Sequence, residues 1–264
     1  MKRRTWTTIL FIICVIGFWV FENFYTPEIY GPSDQKNQIL PEKELWPSSK
    51  GEIVKHQYFM LSYRDAYEQA EWVAYVLKPE QLTQDDRRRP YFIEDPKESS
   101  KSADWRNYKG SGYDRGHLCP AGDRRFLEQA YNETFYTSNI SPQDREFNAG
   151  IWNRLEQKTR YWCKKYGDLV VITGGILEKG LEEIGEEDVD VPYQFYKIIY
   201  RDGPEGEAVI AFLIRNQESN RPLQDFVVPV GEIEALTRLN FFENKSKAWQ
   251  NQFEKGTALS RWRF

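Results

Sequence analysis

The chain has 264 residues, 40% of them hydrophobic, and a formal net charge of −4. That length carries one globular domain with its own core, and the aromatic-rich composition excludes disordered and fibrous classes. The acidic balance gives no general attraction to nucleic acid, although residues 101–165 hold 12 Lys and Arg against 8 Asp and Glu; such a local basic stretch accompanies a phosphate site or is simply an uneven solvated surface.

In chain order, Lys2, Arg3 and Arg4 precede an apolar run over residues 9–21. This pattern predicts an N-terminal signal anchor or signal peptide over 1–25, with its N-terminus inside. No small-x-small cleavage signature follows, and Phe24 and Tyr25 are bulky, which favours an uncleaved anchor; Thr5 to Thr8 extend the short run toward the roughly 20 residues a span needs. A buried core helix would show a polar face instead. The expected location is therefore extracytoplasmic: membrane-anchored at the periplasm or cell surface, or secreted. Residues 26–50 are rich in Pro, Ser, Asn, Gln and charge and read as a linker, leaving 51–264 as the functional domain.

Within that domain, residues 59–63 read as an early strand, and 67–77 fit either a strand or a short helix. Residues 85–90 form a charged loop with three consecutive arginines, Arg87, Arg88 and Arg89. Residues 150–166 read as the longest helix, stopped by Gly167. Residues 168–177 are a buried strand ending at a Gly-Gly turn, 195–200 and 208–214 are two more strands, and a late helix opens at Gly231. The sum is an α+β domain, a mixed central sheet flanked by helices. Of three cysteines, Cys14, Cys119 and Cys163, only two lie in this domain, and no CxxC pattern suggests zinc.

Two segments carry chemistry. The first is Asp114-Arg115-Gly116-His117. The chain has two histidines, His56 and His117, and only His117 has an Arg and an Asp beside it. A neutral imidazole is a natural base near pH 7, and in a strand Arg115 and His117 share one face. The second runs from Ser138-Asn139 through Pro142-Gln143 to Asn148, Trp152, Leu155 and Glu156. Asn148 and Glu156, eight residues apart on a helix, lie near one face; an amide oxygen and a carboxylate suit Mg²⁺. Taken singly, each has a plain structural reading: Asn148 as a helix cap, Glu156 as the i,i+4 partner of Arg160.

Together and in this order, the segments resemble the DNA/RNA non-specific endonuclease family, whose active site is a ββα-metal finger. Further similarity follows in VVITGG, VPYQFYKIIY and IEALTRLNFF, so the likeness covers residues 53–242. The resemblance implies hydrolysis of DNA or RNA phosphodiester bonds with little sequence preference. It implies His117 as general base and Asn148 as the direct protein ligand of the metal, with Glu156 holding metal-bound waters. Arg115 would contact phosphate or support the site, and Asn139 would orient it. One of Arg87, Arg88 and Arg89 would contact phosphate, with Arg160 a further candidate. Mg²⁺ is the implied cofactor, with Mn²⁺ or Ca²⁺ as substitutes. Cys119 stands where a small residue such as Ala is usual. Two other readings share these residues: a membrane-anchored phosphodiesterase of nucleotides with the same fold, and a catalytically silent nucleic-acid-binding relative.

Overall fold

The computed structural model describes residues 3–24, 38–257 and 259–264. The chain forms two units, Met1–Pro32 and Ser33–Phe264. The first contains helix α1 (Arg3–Phe24), whose residues 6–20 are exposed throughout. Among the described residues, no helix is long and apolar enough to cross a membrane. The expected membrane anchor therefore gains no support. At about 1.5 Å per residue, the apolar run over 9–21 reaches about 20 Å, against a hydrocarbon core of about 30 Å. Lys2 and about half of the expected linker, residues 26–37, lie outside the described residues.

The second unit is built on one seven-stranded sheet. Its strands are β1 (Glu52–Lys55), β2 (Met60–Arg64), β3 (Gln69–Leu77), β6 (Leu169–Gly175), β9 (Gln194–Arg201), β10 (Ala208–Arg215) and β11 (Val227–Val228), lying side by side in that order. Every pairing in it is antiparallel, where a mixed sheet was expected. Between β3 and β6 the chain makes the excursion that carries β4 (Asp114–His117), α2 (Glu128–Glu133) and β5 (Ile140–Gln143). A hairpin of β7 (Glu182–Ile184) and β8 (Val189–Val191) separates β6 from β9.

The central strands are buried on both faces. Along β3, Val73, Tyr75 and Leu77 enter one core while Trp72 and Ala74 enter the other, the two-residue alternation of a strand. Because both faces are apolar, the polar–apolar alternation that would identify residues 69–77 as a strand is missing from the sequence. The first core packs against α4 (Asn153–Tyr166) through Leu155, Trp162 and Cys163, and against Trp152 just before it. The second is covered by α5 (Val230–Thr237) and α6 (Lys247–Phe253). Gly167 ends α4 at φ +95°, a conformation open to glycine. A third, smaller cluster of Phe92, Tyr108, Tyr131, Phe135 and Ile140 lies under the excursion.

The folded unit begins before Gly51. Leu45 is buried and Leu40 and Trp46 pack on the second core, while the Ile39 N–H donates to the Gln57 carbonyl at 2.8 Å. The polar composition of residues 26–50 hid these three apolar anchors.

Candidate active site

β4 and β5 form a two-stranded antiparallel ribbon, with Asp114 opposite Gln143, Gly116 opposite Ser141 and His117 opposite Ile140. Gly116 leaves room there for the buried Gln143 side chain, which a Cβ would displace. Asn139 ties the end of the ribbon together. Its Oδ1 accepts from the Cys119 N–H at 2.8 Å, and its Nδ2 donates to the carbonyls of Cys119 (3.0 Å) and Thr134 (2.8 Å). Fully buried, it orients the backbone two residues beyond His117. Cys119 is likewise buried, with its thiol pushed up to about 12 by that burial; it packs as a small apolar residue and is no nucleophile.

After β5 the chain turns into a helix in three pieces: a first turn α3 (Arg145–Phe147), a π turn (Asn148–Trp152), then α4. The N-cap is Asp144, whose side chain accepts from the Phe147 N–H at 2.9 Å. Asn148 therefore lies inside the helix and is not its cap. The π turn alters its aim. Eight α-helical residues turn through about 800°, leaving Asn148 and Glu156 about 80° apart. A π turn takes in roughly one extra residue, so the pair behaves as if seven apart, about 20° from alignment.

His117 stands on the strand face it shares with Arg115. Phe135 meets its ring edge-to-face at 4.9 Å and Phe92 lies at 5.7 Å. Its Nε2 is buried with no hydrogen-bond partner. Burial, and then the charge of Arg89, lower its pKa to about 3. The imidazole is thus held neutral with an unused lone pair or N–H.

The three consecutive arginines are separated by what they touch. Arg87 is committed to the Arg125 carbonyl (2.8 Å) and Asp85 (3.2 Å). Arg88 is exposed. Arg89 lies over the Phe92 ring at 5.2 Å and near Phe135 at 5.8 Å. Arg115 is 5.1 Å from the same Phe92 ring. Burial, and then the charge of Arg89, lower the Arg115 pKa, so the two cations sit close enough to repel. Two repelling guanidiniums beside a neutral imidazole form a site for an anion.

Asn148 donates from Nδ2 to Asp114 Oδ2 at 3.0 Å, which turns the amide so that its carbonyl Oδ1 is the atom left for a cation. Glu156 belongs to a different set. Arg160 bridges Glu156 Oε2 (3.3 Å) and Asp123 Oδ1 (2.5 Å), and Tyr75 donates to Asp123 Oδ2 at 3.0 Å. Arg160 passes over Gly122, where a Cβ would press on its guanidinium. Its reach is thus taken by two carboxylates rather than offered to solvent. Burial raises the Glu156 pKa, and Arg160 and then Lys197 oppose it. Lys197 is fully buried on β9, donates to Thr173 Oγ1 at 2.7 Å and lies 4.8 Å from the Trp152 ring; burial lowers its pKa to about 8 against the charges of Glu156 and Asp123.

Sequence reasoning passed over Asp114 as an orienting group, Phe92 as the spacer between two arginines, and the Asp123–Lys197 set behind Glu156. Lys197 alone left a signal: a lysine inside the apolar run FYKIIY has to find a partner.

Among the described residues no group of three or more His, Cys, Asp and Glu is arranged to hold a metal. The donors present are an amide oxygen and carboxylates, and such a set fits a hard cation that keeps most of its waters.

The model of the family described as DNA/RNA non-specific endonuclease matches residues 41–248. Mitochondrial nuclease EXOG of Danio rerio is 35% identical over 213 residues, covering 74% of this chain and 62% of its own length. Mitochondrial endonuclease G of Homo sapiens is 32% identical, with 73% and 70% covered. Nuclease C1 of Cunninghamella echinulata var. echinulata is 34% identical, with 75% and 85% covered. A chain in a crystal structure of the EndoG/EndoGI complex superposes with a TM-score of 0.69 at 30% identity, over 75% of this chain and 88% of that one. The chain spans 62% of the length of the EXOG relatives of Danio rerio and Mus musculus, less than two thirds. The matched region takes in the ribbon, the helix with its π turn and the whole central sheet, and the chain belongs to the DNA/RNA non-specific endonuclease family.

Proposed function

We propose that the chain is a metal-dependent endonuclease that cleaves the phosphodiester bonds of DNA, RNA or both with little sequence preference. The observation that carries this reading is the buried, unpartnered Nε2 of a neutral His117, set against two mutually repelling arginines, Arg89 and Arg115. The arginines grip the phosphodiester. Its negative charge offsets the field of Arg89, raises the proton affinity of His117, and lets Nε2 take the proton of an attacking water. Asn139 and the Phe92–Phe135 pair hold the ring in place. Asn148 Oδ1 would hold Mg²⁺, fixed by Asp114, and Glu156 would hold its waters, fixed by Arg160. When bound, the cation supplies charge stabilisation for the phosphoryl and leaving oxygens. Mn²⁺ and Ca²⁺ prefer similar oxygen donors.

Digestion of supercoiled plasmid and of RNA by the full chain, with Mg²⁺ and with a chelator, tests the reading. Metal-dependent loss of at least one substrate is expected; both substrates intact at every metal would refute it. Export from the cytoplasm belongs to the same proposal, motivated by the basic start before the apolar run. Full-length protein recovered in the cytosolic fraction would refute that part alone.

A further inference from the structure

We propose that Trp105 and Arg115 form a stacking subsite for the nucleobase next to the phosphate being cleaved; this rests on the nuclease reading above. Trp105 is 37% exposed. It opens a 3₁₀ turn (Trp105–Tyr108) held rigidly from both ends. Asp104 caps it, accepting from the Arg106 N–H at 2.7 Å, and Asn107 anchors it to the Asp104 carbonyl at 2.8 Å and to Glu187. Tyr108, at its end, is buried in the cluster under the active site.

The ring does not stand alone. The guanidinium of Arg115 lies 5.5 Å from its centroid and 5.1 Å from that of Phe92, and Arg89 lies 5.2 Å from Phe92. Aromatic and cation therefore alternate along Trp105, Arg115, Phe92 and Arg89, with the Phe92 ring 5.7 Å from that of His117. A scattered surface tryptophan needs no explanation. One that terminates a cation–aromatic ladder built on the phosphate grip does.

Single-stranded nucleic acid is bound by such alternation, the cations tracking phosphates and the aromatic faces taking bases. In a strand each base hangs one sugar away from its phosphate. A ring one guanidinium away from the phosphate grip is placed for that base. Stacking uses the π face that every base has, so the subsite reads no sequence, in keeping with a non-specific enzyme. It does require an unpaired base, so the site favours single-stranded or locally opened substrate over intact duplex.

The test is fluorescence anisotropy with a labelled single-stranded oligothymidylate, in chelator to prevent cleavage, using the full chain. A series of the same oligonucleotide with one abasic position scanned along its length is compared for wild type, Trp105→Ala and Trp105→Phe. Wild type is expected to lose about tenfold in affinity at one abasic position. Trp105→Ala should bind the intact oligonucleotide about tenfold more weakly and ignore that abasic position, while Trp105→Phe should keep most of the affinity and the position dependence. Equal weakening of all oligonucleotides by Trp105→Ala would mean that the ring only props Arg115, and would overturn the subsite. So would a wild type indifferent to every abasic position. A wild type that binds no oligonucleotide at all would overturn the nuclease reading and the subsite together.

Discussion

Replacing Arg160 by Met separates its two roles, clamp and phosphate contact. Its guanidinium joins Asp123, only 2% exposed, to Glu156, 15% exposed. Met keeps much of the apolar stem, so the loss is mainly the charge. The buried Asp123 and the partly buried Glu156 are then left with Tyr75 and Lys197 nearby. Removing one partner of a buried ion pair costs about 3–5 kcal/mol; with Arg160 and Glu156 partly solvated, the low end, about 3 kcal/mol, applies. For a unit of this size that is a Tm drop of about 6–12 °C. The pH dependence has a definite sign. Burial already raises the Glu156 pKa above 4.5, and Arg160 is the largest opposing influence. A carboxyl that binds its proton more tightly folded than unfolded makes the fold less stable as pH rises through that window. Losing Arg160 extends the window upward, so the Tm deficit should grow from pH 5 to pH 7.5, and the acid limb of the rate profile should move to higher pH. Circular-dichroism melts at both pH values and initial rates across pH measure this. A Tm within about 2 °C of wild type at neutral pH, an unmoved acid limb and a raised KM would refute the clamp and make Arg160 a phosphate contact.

Loss of a general base typically lowers rate about 10²–10⁴-fold, and His117→Ala is expected to fall in that range with the fold intact; activity within tenfold of wild type would remove His117 from the role. Because the His117 pKa is lowered to about 3, its ring protons should show no NMR titration between pH 5 and 8 in the free protein, and its contribution to stability should be lost as pH falls from about 6.5 toward 3; a titration midpoint above 5 would contradict this. Asn148→Ala should shift the Mg²⁺ titration of activity to higher concentration with little change in Tm, since Asp144 and not Asn148 caps the helix; an unchanged titration with a lowered Tm would contradict it. Asn139→Ala removes three buried backbone hydrogen bonds and, at about 1 kcal/mol each, should lower stability by about 3 kcal/mol; a Tm unchanged in a thermal melt would show that the bracket is dispensable.

What the sequence discloses and what it hides follow from how local each interaction is. The strands over 195–200 and 208–214 are legible because β-branched and aromatic residues crowd them, and the end of α4 because Gly167 stands where a positive φ is needed. Arg115 and His117 are legible because a strand alone puts them on one face. The π turn is not: NAGIW carries the same apolar spacing in a narrow turn or a wide one. Nor is the choice of Arg89 over Arg87 and Arg88, which depends on the Phe92 ring and on Asp85 and Arg125 occupying Arg87. The Glu156 set joins residues from β3, the turn before α2, α4 and β9, and only the folded sheet brings Tyr75, Asp123 and Lys197 together. The anchor expectation gains no support for a metric reason, an apolar run short in ångströms, and the start of the folded unit before Gly51 is hidden because three apolar residues are outnumbered by their polar neighbours.

The wide turn at Asn148–Trp152 makes chain length itself a property under selection. A regular helix without the surplus residue would have the better hydrogen-bond ladder, so stability alone pushes toward shedding it. On the metal site proposed above, what opposes that push is the need to point an amide and a carboxylate the same way. On the proposed function, the residue count between Asp144 and Glu156 would then be a record of use: a descendant that cuts phosphodiesters would have to keep it, and one without catalysis would be free to lose one residue there while its fold improves. Among relatives that retain every side chain of the site, a single-residue gap in this interval would mark the ones that no longer work.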